Sequence, residues 1–142
     1  MKTSSIALER LKRFEGFSHK AYPDTGGVWT IGYGYTRGVK PGMFVTKERA
    51  LELFLKNVAV FEECINNAVL VELTQNQFDA LVSLTYNIGV QAFKTSTLLK
   101  ILNTGDYKSV PAQIKRWNKD NGKVIAGLVS RRAEEAKLFE TN

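Results

Sequence analysis

The stretch FEGFSHKAYPDTGGVWTIGYGYT, residues 14–36, decides how the whole chain is interpreted, because helical spacing stops inside it. Leading into this stretch, the apolar residues Ala7, Leu11 and Phe14 stand at i, i+4 and i+7, which is typical of a helix with one buried face. Ser4 or Ser5 can cap the N-terminus of this helix, and Gly16 stands where a glycine commonly follows a helix. The pattern therefore predicts a helix over residues 4–15.

A turn and a strand are predicted next. Residues 22–27, YPDTGG, combine proline, aspartate and glycine, which is the composition of a turn. Residues 28–36 then alternate between large apolar or aromatic side chains and threonine or glycine, which predicts a strand with one apolar face. Glycines on the opposite face would let a ligand approach the backbone closely. We therefore expect a small β lobe over residues 16–45.

The rest of the chain has a helical pattern. Thr46 can cap a long helix over about residues 47–67, and a capping box at residues 74–77 opens another helix. The apolar stripe of the long helix is expected at Leu51, Leu55, Val58, Phe61 and Ile65. Further helix starts and turns are predicted at Ser96, Ser109 and Asn121-Gly122, and a last helix from Leu128 to Phe139.

Together these elements predict an α+β fold, mainly helical, in a single domain over residues 1–142. The N-terminal helix and the β lobe would form the smaller part. The long helix links it to a larger helical lobe over about residues 68–142. Because a cleft between two lobes is a common ligand site, we expect the active site there.

Charge and composition exclude several classes of protein. The 142 residues include 20 Lys and Arg against 14 Asp and Glu, a net charge of +6, which favours an anionic partner such as nucleic acid, lipid or a bacterial wall. No apolar run reaches the roughly 20 residues of a membrane span, so no stable membrane insertion is expected. No recognition helix or aromatic RNA-binding motif is visible, which argues against nucleic acid. The single Cys64 and single His19 cannot form an internal disulfide or a four-ligand zinc site.

Three residues of the opening stretch suit glycoside cleavage. Glu15 ends the first helix between two phenylalanines, where desolvation favours a protonated carboxyl that can act as a general acid. Asp24 lies in a solvated turn, where it would stay ionised and polarise a water, and Thr30 lies on the glycine face of the strand. Two carboxylates in unlike environments can divide the acid and base roles, although on spacing alone solvated surface carboxylates are the commoner outcome.

The motifs FEG at residues 14–16, YPDTGG at 22–27 and WTIGYG at 29–34 together closely resemble the phage-type lysozymes of glycoside hydrolase family 24. The catalytic motif of that family is Glu, eight residues, Asp, five residues, Thr. Glu15 and Asp24 are separated by eight residues, and Asp24 and Thr30 by five. The resemblance therefore identifies these three residues as the catalytic candidates and implies a lysozyme-like fold.

The resemblance covers almost the whole chain. It continues through LTQNQFDAL, YNIG, FKTSTLL, RWN and GLVSRR, which begin at residues 73, 86, 93, 116 and 127. One departure is Tyr35, where many members have a histidine. A stabilising ion pair found in some members is therefore expected to be absent, while the catalytic motif is untouched.

The resemblance implies hydrolysis of the β-1,4 bond between N-acetylmuramic acid and N-acetylglucosamine in peptidoglycan, with inversion. Glu15 would protonate the glycosidic oxygen, Asp24 would position and polarise a water, and Thr30 would hold that water. No metal and no organic cofactor is implied. An inverting site needs its carboxylates about 6.5–9.5 Å apart, so that the water fits between them.

The resemblance also indicates residues that contact the sugar chain. These substrate-binding candidates are Tyr33, Gly34, Tyr86, Asn87, Ser96 and Arg131. Arg131 has two open interpretations: it approaches the catalytic glutamate, or it is an ordinary solvated arginine of the last helix. Trp117 is expected to support the core, Cys64 to be a buried small side chain, and His19 to be exposed.

The function that follows is that of a monomeric phage endolysin acting on bacterial peptidoglycan. Because the sequence shows no secretory signal, we expect it to stay in the host cytoplasm until a holin, a membrane pore protein, releases it to the wall. Two alternatives stay open. One is a lytic transglycosylase, which forms a 1,6-anhydro product without water; the other is a basic protein that disrupts the wall or membrane without catalysis.

Overall fold

The computed structural model describes residues 1–141. Seven helices and four short strands are present in this part of the chain: α1 (Ser5–Glu15), β1 (Ser18–Pro23), β2 (Trp29–Gly32), α2 (Lys47–Ala68), α3 (Gln75–Ile88), α4 (Val90–Lys94), α5 (Thr97–Asn103), α6 (Val110–Lys115), β3 (Lys119–Asp120), β4 (Lys123–Val124) and α7 (Ala126–Glu140). The predicted α+β, mainly helical fold is confirmed.

The chain divides into two compact units. One unit, called here the β unit, consists of residues 8–60; the other, the helical unit, consists of residues 1–7 together with the chain from Phe61 onward. The sequence had grouped the predicted first helix, residues 4–15, with the β lobe over residues 16–45. The first residues belong instead to the helical unit, because Thr3 donates from its N–H and its hydroxyl to Glu62 at 2.6 and 2.7 Å. Ser4 bonds Asp79 in the same way, and its hydroxyl also caps α1.

The β unit is organised around an antiparallel hairpin. β1 and β2 pair with Tyr22 opposite Thr30 and Pro23 opposite Trp29, and the register shifts between Ser18 and Tyr22. Within that irregular stretch, β1 also bonds a second segment on its other edge: the N–H of Ala21 donates to the carbonyl of Met43 at 3.0 Å. The bulged strand is therefore bonded along both edges, which fixes the loop that follows it.

The predicted strand over residues 28–36 is wrong in its second half. β2 ends at Gly32, and the backbones of Ile31 and Tyr35 exchange two hydrogen bonds at 2.8 and 2.9 Å across a tight reversal. Gly32 and Gly34 have φ of 64° and 73°, a conformation that glycine adopts without steric cost. Alternation continues through the reversal, so the sequence pattern did not show it.

The apolar stripe predicted for α2 is partly wrong. Leu51 and Leu55 are 39% and 46% exposed, whereas Ala50 and Phe54 are buried. Neighbouring residues on a helix point about 100° apart, so the first two positions of the stripe are displaced by one residue, from Leu51 and Leu55 to Ala50 and Phe54. Ala50 is needed there for its size, because a Cβ built on Gly32 would lie only 3.1 Å from the Ala50 Cβ. The later stripe positions, Val58, Phe61 and Ile65, are buried as expected.

The helical unit has its core on α3. Every residue from Phe78 to Tyr86 is buried, and α7 packs against both α3 and α6. The capping box at Thr74 is confirmed, Ser96 caps α5, and Asn121-Gly122 forms the turn between β3 and β4. Cys64 is buried as predicted, and burial raises the pKa of its thiol, with the charge of Lys94 acting in the opposite direction.

Of the helices in residues 1–141, none combines the length and the apolar character that crossing a bilayer requires.

Candidate active site

Glu15 is held at the C-terminal end of α1, as predicted. Gly16 follows it with a φ of 69°, and its N–H donates to the carbonyl of Lys12 at 2.9 Å, which ends the helix. The half-buried Glu15 carboxylate lies against Gly34, where an added Cβ would come within 2.5 Å of Oε1. The turn at Gly34 therefore leaves the space that the carboxylate occupies.

Asp24 is fixed by its own loop. Its Oδ1 accepts hydrogen bonds from the N–H groups of Gly26 and Val28 at 2.9 and 2.8 Å. Its backbone N–H donates to the carbonyl of Val28, and its backbone carbonyl accepts from Gly27. Over residues 1–141, no donor bonds the other carboxylate oxygen, Oδ2. The turn thus holds one oxygen of an exposed carboxylate and leaves the second for another partner.

Thr30 is buried at 4% exposure, and its hydroxyl has a defined direction. The O–H donates to the carbonyl of Val28 at 2.9 Å. The same carbonyl accepts the backbone N–H of Asp24, also at 2.9 Å. With its hydrogen committed in this way, the Thr30 oxygen has only acceptor capacity left for a further partner.

Tyr22 is a residue of this site that the sequence analysis missed. It lies directly opposite Thr30 in the β1–β2 pair. Burial raises the pKa of its phenol above the ordinary value of 10.0, and the charges of Glu15 and then Asp24 raise it further. The phenol is therefore within electrostatic reach of both carboxylates. Residues two apart on an extended strand point to the same face, so the position of Tyr22 two residues before Asp24 was the signal that could have identified it.

The other candidates of the β unit have different surroundings. Tyr33 is buried, and its ring centroid lies 5.1 Å from that of Phe17 and 5.5 Å from that of Phe54. Its ring therefore belongs to the core of the unit. Tyr35, at the departure from the family pattern, is half-buried in the reversal beside Gly34. His19 is exposed, as expected.

Arg131 is not a solvated arginine, and that interpretation is wrong. It is 6% exposed, and its guanidinium donates to Glu135 Oε2 at 3.1 Å and to the carbonyl of Ser83 at 2.9 Å. Arg132 binds the same carboxylate through two contacts, at 2.5 and 3.0 Å, and the Ser83 hydroxyl donates to it at 2.5 Å. These four residues, called here the Glu135 cluster, join α3 to α7.

The remaining candidates also belong to the helical unit. Asn87 is exposed, and its Oδ1 accepts from Arg132 at 2.9 Å, so the Glu135 cluster orients it. Tyr86 is buried against Phe61, with ring centroids 5.1 Å apart. Ser96 is buried; its hydroxyl donates to a backbone carbonyl at the end of α4 and accepts from the first turn of α5.

Ser96 also lines a pocket of about 330 Å³. Trp117, which the sequence placed in the core, is half-buried and lines this pocket. Gln113 and Arg116 line it as well. The structure thus brings Glu15, Asp24, Thr30 and Gly34 together in one unit and places Tyr86, Asn87, Ser96 and Arg131 in the other. That all of them line one cleft stays a prediction.

The chain is similar to known phage proteins over almost its whole length. The Phage lysozyme family model matches residues 12–135. The endolysin of Acyrthosiphon pisum secondary endosymbiont phage 1 is 43% identical over 145 residues, which cover 99% of each chain. The endolysin of Bacillus phage PZA is 44% identical over 144 residues; they cover 99% of this chain but 56% of that protein. Among solved structures, the muramidase domain of SpmX from Asticaccaulis excentricus superposes with a TM-score of 0.90 at 40% identity, covering 99% of both chains.

Proposed function

This chain belongs to the phage lysozyme family, and from that premise we propose that it hydrolyses the β-1,4 bond between N-acetylmuramic acid and N-acetylglucosamine in bacterial peptidoglycan, as an endolysin. Membership makes it a lysozyme-type glycoside hydrolase. The bond, the stereochemistry and the residue roles are our proposal. Its support is that relatives at 43% and 40% identity are named endolysin and muramidase, and that the local geometry suits an inverting reaction.

The observation that carries the proposal is the direction of the Thr30 hydroxyl. A water that attacks the anomeric carbon must donate its two hydrogens elsewhere, so that a lone pair faces the sugar. The Thr30 oxygen can receive one of these hydrogens, because its own hydrogen is bonded to Val28. Asp24 Oδ2 can receive the other. Two acceptors on one hairpin would therefore hold a water in the orientation that attack requires.

Asp24 and Glu15 then have separate roles. Ionised Asp24 polarises the water and takes its proton as the bond forms, while the turn amides keep the carboxylate from rotating. Glu15, from the end of α1, donates a proton to the leaving glycosidic oxygen. Both roles match those of the acid and base in inverting glycosidases.

The stereochemistry of the first product tests this arrangement. Wild-type protein should release the α-anomer from a β-linked chitooligosaccharide or wall fragment, observed by proton NMR before mutarotation. Thr30→Ser, which keeps an acceptor oxygen, should retain much of the rate, and Thr30→Val should lose about 10²-fold or more. A β-anomer as the first product, or a Thr30→Val enzyme as fast as Thr30→Ser, would contradict the water-holding role.

A lytic transglycosylase is the second candidate within enzymes. It would use no water, so Asp24 and Thr30 would have no water to orient. Mass spectrometry of released muropeptides distinguishes the two, since a hydrolysed reducing end is heavier than a 1,6-anhydro end by one water. We expect the hydrolysed form only. A non-catalytic disrupting protein would instead keep its lytic effect after Glu15→Gln.

We further propose that the protein acts as a monomer and reaches the wall from the cytoplasm through holin lesions. Relatives named endolysin come from phages, which agrees with action on the wall of a host cell; the holin route and the monomer are what the experiments test. Expression in bacteria should leave cells intact until a pore-forming protein is co-expressed, and sedimentation equilibrium should give the mass of one chain, 15.9 kDa. Lysis without a pore-forming protein would contradict the holin route, and the mass of a dimer would contradict the monomer.

A further inference from the structure

The β unit carries an exposed apolar surface outside the candidate active site. Phe44 is 69% exposed and Met43 is 41% exposed, on the segment that pairs with β1. Both line a pocket of about 260 Å³ whose other walls are mostly apolar: Ile31, Tyr35, Val39, Val45 and Leu53. We call this surface, with the pocket, the Phe44 face. None of the proposed catalytic roles uses it.

Cations surround the Phe44 face. Arg37 and Arg49 complete the pocket lining, and Lys20 places its Nζ 5.9 Å from the centroid of the Phe44 ring. Arg49 also forms an exposed ion pair with Glu52, with 2.8 Å between nitrogen and oxygen. This pair neutralises part of the charge of Arg49. Over residues 16–53, which include the whole face, the sequence has five Lys and Arg and three carboxylates: Asp24, which belongs to the candidate active site, Glu48 and Glu52. The face is therefore apolar at its centre and positive at its rim.

We propose that the Phe44 face docks on a membrane surface rich in anionic phospholipid. An exposed phenylalanine beside an apolar pocket gains from contact with acyl chains, and arginine and lysine gain from phosphate headgroups. A wall glycan offers negative charge but no apolar layer for Phe44. A second copy of the chain is disfavoured, because a symmetric contact would bring Lys20, Arg37 and Arg49 against their own copies.

This inference is independent of the proposed hydrolysis. It predicts reversible, peripheral binding that leaves the chain folded and uninserted. Such binding would depend on salt, because the headgroup attraction is screened within about 8 Å at physiological ionic strength.

Vesicle co-sedimentation tests the proposal with a matched pair of variants. Wild type should bind phosphatidylglycerol vesicles and lose that binding in high salt, while phosphatidylcholine vesicles bind at least about tenfold more weakly. Phe44→Ser should weaken binding to phosphatidylglycerol at least about tenfold. Leu70→Ser is the control, because Leu70 is 79% exposed but lies in the helical unit; it should change binding by less than about twofold.

A charge variant keeps the test decisive if Phe44→Ser fails to fold. Arg37→Glu should weaken phosphatidylglycerol binding and flatten its salt dependence, with no effect on the weak phosphatidylcholine binding. Equal binding by Phe44→Ser and Leu70→Ser would overturn the proposal. So would equal binding of wild type to both lipids, or a wild-type dimer in sedimentation that Phe44→Ser converts to monomer.

Discussion

The two units use buried and exposed carboxylates in opposite ways. In the helical unit, Glu135 is 2% exposed and is enclosed by two arginines and the Ser83 hydroxyl. In the β unit, Asp24 is exposed, and within the described part of the chain its side chain is bonded only at one oxygen, by amides of its own turn. Glu15 is intermediate, half-buried against the turn at Gly34.

The contrast separates a carboxylate that stabilises a fold from one that can act on a substrate. A charge taken out of water is tolerated only when partners satisfy it fully, and such partners also block access to it. A carboxylate bonded on one side by a rigid loop keeps its direction at little cost and remains open to a ligand. The surroundings of each acid, rather than its chemical type, indicate which role it has.

The largest expected effect is on rate, from the β unit. Glu15→Gln removes the proposed proton donor but keeps the shape of the side chain, so hydrolysis of purified walls should fall about 10²–10⁴-fold. The free energy of unfolding should stay within about 1 kcal/mol of wild type. Turbidity loss of a wall suspension and urea denaturation measure the two quantities. A rate within about threefold of wild type would remove Glu15 as the acid.

The second-largest expected effect is a loss of folding stability, and it comes from the buried carboxylate of the helical unit. Glu135→Gln removes the buried carboxylate charge that the guanidinium groups of Arg131 and Arg132 both contact, so the free energy of unfolding should fall by about 3–5 kcal/mol. Glu140→Gln is the control, because Glu140 is exposed on the same helix and should change stability by less than about 0.5 kcal/mol. Urea midpoints with matched slopes give both values. Equal midpoints would mean that burial does not distinguish the two carboxylates.

A glycine pair sharpens the comparison within the β unit. Gly34→Ala and Gly38→Ala both place a side chain at positive φ, of 73° and 68°, and each should cost about 1–2 kcal/mol of stability. The new methyl group at residue 34 also collides with the Glu15 carboxylate, whereas nothing lies within 4 Å of one at residue 38. Hydrolysis should therefore fall at least about tenfold more in Gly34→Ala, since misplaced catalytic groups lose rate steeply. Equal rates in the two variants would show that Glu15 does not need the space at Gly34.

The smallest expected effect is a titration. The raised pKa of Tyr22 means that the unfolded chain ionises this phenol first, so the stability contribution is complete below pH 10 and is lost as pH rises through the higher folded value. Asp24→Asn removes one of the raising charges and should lower the pKa of Tyr22. Ultraviolet absorbance of tyrosinate, with Tyr22→Phe to assign the signal, measures the shift. An unchanged titration in Asp24→Asn would place the phenol beyond reach of that carboxylate.

Local chemistry made much of this predictable from sequence. The caps at Ser4, Thr46 and Thr74 depend on residues three positions away, and the end of α1 depends on Gly16, whose N–H bonds a carbonyl four positions earlier. The sequence did not predict the chain reversal at Gly32, because large and small side chains keep alternating through the tight turn.

Other features were missed because they depend on residues that are distant in the sequence. The burial of Arg131 depends partly on Ser83, which is 48 positions away, and a charged residue viewed alone suggests a solvated position. The start of the α2 stripe was misplaced because apolar residues occupy two neighbouring lines along the helix. The line that is buried contacts Gly32 through Ala50 and Tyr33 through Phe54, and both partners are distant in the sequence.

The attachment of the first residues has a consequence for the order of folding. Thr3 and Ser4 bond Glu62 and Asp79, which are 59 and 75 positions later in the chain. During synthesis these carboxylates emerge from the ribosome long after their donors, when the β unit is already complete in sequence. The helical unit therefore cannot close its polar contacts as a continuous segment, and its formation requires loop closure over half the chain. Such long-range closure is slow, so the β unit should gain amide protection in pulse-labelled hydrogen exchange before the helical unit does.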